Sequence, residues 1–371
     1  MPAAPTPFRL QVPQWQLDDL ADRLSRTRWP DEPSLEPWST GTSLSYLQEL
    51  ATYWEHDFDW RKQEARINRF RQYKANIHGI DLHYIHEPGR GKNPMPLLLS
   101  HGWPGSIVEF LELIPLLTEH FTVVAPSLPG YTLSHKPGQP RMGVEEIADV
   151  FAELMTDVLG YKKFGAQGGD WGAFITSRLA YTRPELLTGI HLNLLPLRRD
   201  PKFEAKTPEE KKYQEQLQEF IKEGMGYQWI QGTRPQTLAY GLTDSPAGLS
   251  AWIADKFHAW SDNGGTIESA IPRDTMLANI SLYWLTGAIG SSFWPYYARM
   301  HRPWPIPEGK TIAVPMGYAE FPKEILKPPR SLAENTFTNI KRWTVMEKGG
   351  HFAALEECGS LAGELTRFWA A

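Results

Sequence analysis

The chain has 371 residues, 41% hydrophobic and 22% charged, an ordinary composition for a globular protein with a sizeable core. A formal net charge of −5 means that basic residues are not in excess, so no nucleic-acid partner is expected. Cys358 is the only cysteine, which excludes an internal disulfide, and no apolar run has signal-peptide or membrane-spanning length; we therefore expect a cytoplasmic protein without a membrane anchor.

Residues 1–74 are predicted to form a helical, tryptophan-rich segment that packs on the rest of the protein. Pro13 precedes a stripe at helical spacing that includes Trp15, Leu20 and Leu24. Two more apolar stripes of this kind follow before residue 74. Nothing in this segment has the pattern of a catalytic motif.

The pattern changes near residue 75, where short apolar runs begin to alternate with helical stripes. Residues 74–87 alternate around His78-Gly79, which predicts a hairpin. Further strands are predicted at residues 96–100, 121–125, 162–166, 311–315 and 342–346. Strands that alternate with helices predict an α/β fold with a mostly parallel central sheet, built from residues 75–195 and 308–371.

Residues 196–307 interrupt this alternation and are predicted to be helical. Thr207 and Glu210 form a capping box at the start of one helix, and Ser245-Pro246 begins another. A helical insertion within an α/β domain is typical of a lid over a functional site.

One carboxylate stands among small residues in the stretch 164–174. Gly168, Gly169 and Gly172 surround Asp170, and apolar residues at helical spacing follow. A strand that turns sharply into a helix needs this composition, as in the nucleophile elbow, where the bend residue is usually Ser. Asp170 is therefore a candidate attacking carboxylate; the alternative is an Asp that caps the helix.

An elbow nucleophile in the α/β-hydrolase fold is followed along the chain by an acid and then by a histidine base. His351 comes directly after the last predicted strand, behind two glycines. The acid is expected after the strand that ends at Pro315, where Glu320 and Glu324 are both candidates. Their spacing does not choose between them.

Residues 101–104, His-Gly-Trp-Pro, lie where the α/β-hydrolase fold has its oxyanion-binding loop. The backbone N–H groups of Trp103 and of Trp171, next to Asp170, are the expected donors to an oxyanion. His101 is expected to support this loop. No thiol or carboxylate cluster accompanies the histidines of the hairpin, so no metal site is expected.

Taken together, these motifs resemble the microsomal-type epoxide hydrolases. The resemblance rests on His-Gly-Trp-Pro-Gly-Ser at 101–106, Gly-Gly-Asp-Trp-Gly at 168–172, Phe-Pro-Lys-Glu at 321–324 and Gly-Gly-His-Phe-Ala-Ala-Leu-Glu at 349–356. Arg-Trp-Pro-Asp at 28–31 and the helical N-terminal segment extend it over essentially the whole chain. Nothing corresponds to the N-terminal anchor of the animal branch, so the chain looks like the soluble bacterial or fungal type.

The resemblance also implies roles for residues that spacing leaves open. It implies Glu324, after Phe-Pro-Lys, as the acid, and two lid tyrosines that bind the epoxide oxygen. The first matches Tyr227 and the second Tyr296, with the adjacent Tyr297 expected to be a packing residue, like Tyr283. The expected reactants are a small apolar or aromatic epoxide and water, without a cofactor; a homodimer is left open.

Two alternatives accompany this interpretation. A haloalkane dehalogenase of the same fold would share the Asp nucleophile, His base and acid, but a departing halide needs no proton, so the lid tyrosines favour an epoxide. A catalytically silent binding protein on the same scaffold would be expected to lack one of these groups, and all have candidates here.

Overall fold

The computed structural model describes residues 4–198 and 203–370. Residues 1–3, 199–202 and 371, which belong to the segments expected at 1–74, 196–307 and 308–371, lie outside the described residues. The strands are β1 (Thr6–Phe8), β2 (Gln72–Ile77), β3 (Ile80–Glu87), β4 (Met95–Ser100), β5 (Phe121–Pro126), β6 (Phe164–Gly168), β7 (Leu187–Leu192), β8 (Met316–Glu320) and β9 (Ile340–Val345).

These strands form a nine-stranded sheet within the described residues, in the order β1-β2-β3-β5-β4-β6-β7-β8-β9. The pairs from β5 through β9 are parallel, whereas β1, β2 and β3 add an antiparallel edge. The expected α/β architecture with a mostly parallel sheet is confirmed.

Helices lie between β1 and β2, between later strands of the sheet and, as a longer block, between β7 and β8. They are α1 (Gln14–Ser25), α2 (Leu44–His56), α3 (Trp60–Ile67), α4 (Leu113–Leu117), α5 (Val144–Glu153), α6 (Asp170–Thr182), α7 (Pro208–Glu219), α8 (Gly226–Thr233), α9 (Pro235–Asp244), α10 (Pro246–Trp260), α11 (Arg273–Thr286), α12 (Ile289–Ser292), α13 (Trp294–His301), α14 (Arg330–Ala333), α15 (Ala353–Glu356) and α16 (Cys358–Ala370). Among the residues placed by the structure, no helix is both long and apolar enough to cross a membrane.

The sheet separates two apolar cores because successive side chains of a strand point to opposite faces. Along β4, Leu98 belongs to one core, whereas Leu97 and Leu99 belong to the other. All three are fully buried. This explains why the buried parallel strands read as continuous apolar runs in the sequence.

The expected hairpin at 74–87 is confirmed as β2 and β3. Ile77 pairs with Ile80 across the turn, and His78 and Gly79 both have positive φ, 50° and 80°. A two-residue turn with positive φ at both positions matches the right-handed twist of the flanking strands.

The prediction of a strand at 311–315 is wrong, because β8 begins at Met316, directly after the predicted range. Ile312 makes only an isolated bridge, to Phe337. Pro315 has no N–H to donate, and its carbonyl accepts from Ile190 N at 2.8 Å. The apolar run thus leads into β8 instead of forming it. Strand β1 was not expected and begins the N-terminal segment.

The N-terminal helices pack on the helices α7–α13, which lie between β7 and β8 and are called the insertion below. The Trp54 indole N–H donates to Ser281 Oγ at 3.0 Å, and the Tyr53 hydroxyl donates to Asp274 at 2.8 Å. Both acceptors lie on α11. The capping box expected at Thr207 is present, since Thr207 Oγ1 accepts from Glu210 N at 3.2 Å.

Candidate active site

Asp170 lies at the sharp turn between β6 and α6 and has φ of +46°. The capping alternative is not what the structure has, since Gly169 occupies the N-cap position and Asp170 is the first helical residue. The turn is tight because α6 touches β4: a Cβ on Gly172 would lie 1.9 Å from the Ser100 carbonyl oxygen. The side chain of Asp170 at this bend contacts the backbone N–H of Trp103 and the imidazole of His351.

The loop after β4 binds the Asp170 carboxylate directly. Trp103 N donates to Asp170 Oδ1 at 2.8 Å. Gly102 permits this approach, because a Cβ there would lie 2.1 Å from the same oxygen. Trp171 N belongs to the first turn of α6, where backbone N–H groups have no partner within the helix. The two N–H groups expected to bind an oxyanion therefore both adjoin Asp170.

His101 supports the loop from behind, as expected. Its Nε2 accepts from Leu128 N at 3.1 Å, and its Nδ1 lies 3.0 Å from the Gly102 carbonyl oxygen. Complete burial lowers the pKa of His101 to about 4, so the imidazole is neutral at physiological pH. The neutral tautomer with its proton on Nδ1 donates from Nδ1 and accepts at Nε2, which matches both contacts.

His351 connects Asp170 to Glu324. Its Nε2 lies 3.3 Å from Asp170 Oδ2, and its Nδ1 lies 2.7 Å from Glu324 Oε1. Glu320, the other candidate acid, lies elsewhere, since its Oε2 accepts from the Trp343 indole N–H at 3.2 Å. The structure thus brings Asp170, His351 and Glu324 together and leaves Glu320 outside.

Charge sets the protonation of His351. Burial alone would lower the pKa of His351, but the neighbouring carboxylates of Glu324 and Asp170 outweigh burial and raise it well above its usual value. The imidazole is therefore charged while Asp170 carries a free carboxylate. Loss of the Asp170 charge would remove one of the two groups that raise this pKa.

Two buried tyrosines of the insertion line one cavity with Asp170. The cavity has a volume of about 530 Å³, and its walls include Trp171, Tyr227 and Tyr296. Tyr227 stacks on the Trp103 ring with centroids 5.5 Å apart, and the rings of Tyr227 and Tyr296 are 5.7 Å apart. The aromatic packing fixes both rings in the walls of the cavity that Asp170 also lines.

The pKa of Tyr296 is raised well above its usual value, first by burial and then by the nearby Tyr227 and Asp170. Its hydroxyl is therefore protonated at neutral pH. Tyr297 is placed differently: it stacks on His301, with centroids 4.0 Å apart, and is absent from the walls of the Asp170 cavity. The structure thus groups Tyr296, and not Tyr297, with Tyr227 and Asp170.

Comparison of the sequence with known proteins identifies the family of this chain. Residues 5–110 match the model described as "Epoxide hydrolase N terminus", and residues 95–224 match "alpha/beta hydrolase fold". The chain is 44% identical to "Putative epoxide hydrolase" of Stigmatella aurantiaca over 97% of this chain and 83% of that protein. The chain belongs to the epoxide hydrolase family. A rabbit relative, "Epoxide hydrolase 1" of Oryctolagus cuniculus, is 33% identical over 98% of this chain and 88% of that protein.

Solved structures of epoxide hydrolases share the whole fold. The Aspergillus niger epoxide hydrolase superposes with a TM-score of 0.87 at 32% identity, covering 99% of this chain and 96% of that one. The juvenile hormone epoxide hydrolase of Bombyx mori gives 0.89 at 30% identity, covering 99% and 94%. The protein is therefore an epoxide hydrolase of the α/β-hydrolase fold.

Sequence reasoning missed the residues of α11 that hold the Trp103 loop. Asn279 accepts from Ser106 Oγ at 2.7 Å and donates to the Pro104 carbonyl oxygen at 2.8 Å. Tyr283, expected to be a packing residue, donates to the Gly105 carbonyl oxygen at 2.7 Å. The signal available in the sequence was an amide residue, Asn279, among mostly apolar neighbours on a predicted helix. An amide that is buried in such surroundings needs hydrogen-bond partners.

Proposed function

We propose that this epoxide hydrolase converts an epoxide and water into a vicinal diol through an ester on Asp170. The observation that carries the proposal is that Asp170 has two kinds of neighbour, the tyrosines that line its cavity and the imidazole of His351. Tyr227 and Tyr296 share its cavity, and His351 Nε2 lies 3.3 Å from Oδ2. A carboxylate that faces protonated phenols suits opening of a ring whose oxygen leaves as an alkoxide.

In the first step, an Asp170 carboxylate oxygen attacks a ring carbon of the epoxide. The new C–O bond forms as the C–O bond of the ring breaks, and the released oxygen takes a proton from a phenol of Tyr227 or Tyr296. A phenol is protonated at neutral pH because its reference pKa is about 10. The products are an alkyl ester of Asp170 with a hydroxyl on the adjacent carbon, and a tyrosinate.

In the second step, water cleaves the ester. The carboxylate charge of Asp170 is gone, so the pKa of His351 falls. The imidazolium gives up its proton, which returns the tyrosinate to a phenol, and the neutral Nε2 can then accept a proton from water. The water oxygen attacks the ester carbon, and the N–H groups of Trp103 and Trp171 stabilise the oxyanion. The diol oxygen leaves with the proton from His351, and the Asp170 acid then protonates the imidazole, which restores the free carboxylate beside a charged His351.

Glu324 is proposed to orient the imidazole and to stabilise its charged form. Its Oε1 contacts His351 Nδ1 at 2.7 Å, and the carboxyl group is buried. This fixes the tautomer in which Nε2 faces Asp170. The apolar walls of the cavity, such as Phe174 and Trp304, support a small apolar or aromatic epoxide as substrate.

The test is capture of the ester. In His351→Gln, ring opening should proceed while ester hydrolysis stalls, because no base activates water. Incubation with styrene oxide should raise the intact mass by the mass of the epoxide, with the adduct on an Asp170 peptide. Asp170→Ala/His351→Gln serves as the control and should gain no mass. No adduct with any aryl or alkyl epoxide would contradict the mechanism, as would preferential turnover of alkyl halides.

A further inference from the structure

A second, much smaller cavity meets the substrate cavity only at Asp170. Its volume is about 20 Å³, and its walls include Ser100, Glu109, Gln167 and His351. A cavity needs roughly 10–15 Å³ to hold one water molecule. The tyrosines of the insertion do not line it. Asp170 thus separates an aromatic cavity of substrate size from a water-sized cavity that has polar groups in its walls.

The walls of this small cavity carry polar atoms that need a partner. Ser100 Oγ and Gln167 Oε1 are buried and have no hydrogen-bond partner among the residues described by the structure. The amide nitrogen of Gln167 is occupied, donating to Asn193 Oδ1 at 2.8 Å. Buried polar atoms without a protein partner are satisfied by internal water. The cavity therefore has both the room and the chemistry for an ordered water.

Glu109 brings a second carboxyl group to the loop that binds Asp170. It lies in the short 3₁₀ turn Ile107–Phe110, and its carboxyl occupies space beside Gly105, where a Cβ would lie 1.6 Å from Glu109 Oε1. Gly102 and Gly105 thus leave room for the carboxyl groups of Asp170 and Glu109, respectively. The same four-residue loop carries Trp103 between them.

Burial, opposed by the charge of His351 and supported by the carboxylate of Asp170, raises the pKa of Glu109 to about 8. At neutral pH the acid is mostly protonated and still has a carbonyl oxygen that accepts a hydrogen bond. It can therefore share a water with His351 without adding a second charge beside Asp170.

We propose that the small cavity is the site of the hydrolytic water and that Glu109 positions this water for attack on the Asp170 ester. One hydrogen of the water points to His351 Nε2 and the other to the Glu109 carboxyl. This leaves an oxygen lone pair for the ester carbon. The inference rests on the proposed ester mechanism and assigns Glu109 to its second step alone, because the epoxide enters through the other cavity.

The experiment measures the two chemical steps separately by rapid quench and intact mass, with styrene oxide as the probe. Glu109→Leu should form the Asp170 ester within about threefold of the wild-type rate and hydrolyse it tenfold to a hundredfold more slowly, roughly the loss that misplacing a reactant causes. Glu109→Gln keeps an acceptor oxygen and should hydrolyse the ester within about threefold of wild type.

Gly105→Ala tests the same idea without removing the acid. Its Cβ would displace the Glu109 carboxyl, so ester hydrolysis should slow while ester formation persists. This variant decides the question if Glu109→Leu does not fold. Glu119→Leu is the matched surface control, because its side chain is 64% exposed, and should leave both steps unchanged.

Wild-type hydrolysis of the ester in Glu109→Leu and Gly105→Ala would overturn the proposal. Equal slowing of both steps in Glu109→Leu and Glu109→Gln would also overturn it, since that result indicates a structural role. If His351→Gln forms no ester at all, the mechanism itself fails and the water site fails with it. A crystal structure of the wild type should show a water within hydrogen-bond distance of Glu109 and His351.

Discussion

At the scale of single residues, Asp170 has an unfavourable backbone conformation and a side chain that is held by two contacts. A non-glycine residue with φ of +46° lies in the left-handed region, which costs roughly 1–2 kcal/mol. Asp tolerates this region better than most residues. The hydrogen bond from Trp103 N and the contact with His351 hold the carboxylate in place. This strained backbone conformation thus places the Asp170 side chain in the walls of both cavities.

The tyrosines give the residue-scale prediction. Tyr227→Phe and Tyr296→Phe should each slow ester formation by about a hundredfold or more, because a proton donor to the departing oxygen is lost. Single-turnover measurements with styrene oxide would give the rate. Tyr297→Phe is the control and should be unaffected, since that ring stacks on His301 outside the cavity. Full activity of Tyr296→Phe together with a slow Tyr297→Phe would reverse the assignment.

A site residue could be identified from the sequence only where a local pattern or the order of residues along the chain restricts its position. Asp170 and His351 could be selected because the strand–turn–helix composition and the chain order restrict them. Glu320 and Glu324 could not be separated by spacing. Glu320 is the last residue of β8, and its side chain reaches Trp343 on the neighbouring strand, whereas Glu324 follows in a loop that reaches His351. Loop geometry of this kind is not encoded in a periodic pattern.

At the scale of elements, the site depends on the close packing of α6 against β4. Gly172 on α6 faces the carbonyl of Ser100, the last residue of β4, and Trp103 follows shortly after that strand. Small residues at this contact let the helix start beside the strand end. The elbow and the loop that binds Asp170 are therefore positioned by one helix–strand contact.

Gly172→Ala tests this contact. The added Cβ would lie 1.9 Å from a backbone oxygen, which cannot move as a flexible side chain would. We expect a loss of about 1–3 kcal/mol in the free energy of unfolding, as for other overpacked sites, and slower ester formation because Asp170 shifts. Urea denaturation and single-turnover assays measure the two effects.

The matched control is Gly359→Ala in α16, where nothing lies within 4 Å of the added Cβ. Replacing this helical glycine should leave activity unchanged and stabilise the protein by up to about 1 kcal/mol. Equal effects of the two substitutions would mean that the contact between α6 and β4 does not position the site.

Elements with a clear period were predictable, and elements defined by their partners were not. The hairpin of β2 and β3 could be predicted from the alternation of apolar and polar residues around His78-Gly79. Strand β1 has three residues and exists because it pairs with β2. The apolar run at 311–315 resembles a strand, but Pro315 lacks the N–H that a strand interior needs, so the strand starts after it.

At the scale of the whole molecule, three parts of the chain meet at α11. The N-terminal helices bind it through Tyr53 and Trp54, whose partners are Asp274 and Ser281. Asn279, on the same helix, holds the loop that carries Trp103. The insertion therefore does more than cover the cavity, because α11 links the N-terminal segment to the loop that binds Asp170.

Two substitutions on α11 should separate these contacts. Ser281→Ala leaves the indole N–H of Trp54 buried without its partner and should cost about 1–3 kcal/mol of unfolding free energy, with little change in ester formation. Asn279→Ala should cost a similar amount and also slow ester formation, because the loop with Trp103 loses two hydrogen bonds. Denaturant unfolding and single-turnover kinetics give both quantities.

A double substitution tests the interpretation of Ser281. Replacing Trp54 by Phe removes the donor, so Trp54→Phe/Ser281→Ala should be destabilised by less than the sum of the two single variants, since no polar group is left unpaired. Additive losses would mean that the hydrogen bond between Trp54 and Ser281 contributes nothing. If Ser281→Ala slowed ester formation as much as Asn279→Ala, α11 would act on the site as one rigid unit, and the loop contacts of Asn279 would have no separate role.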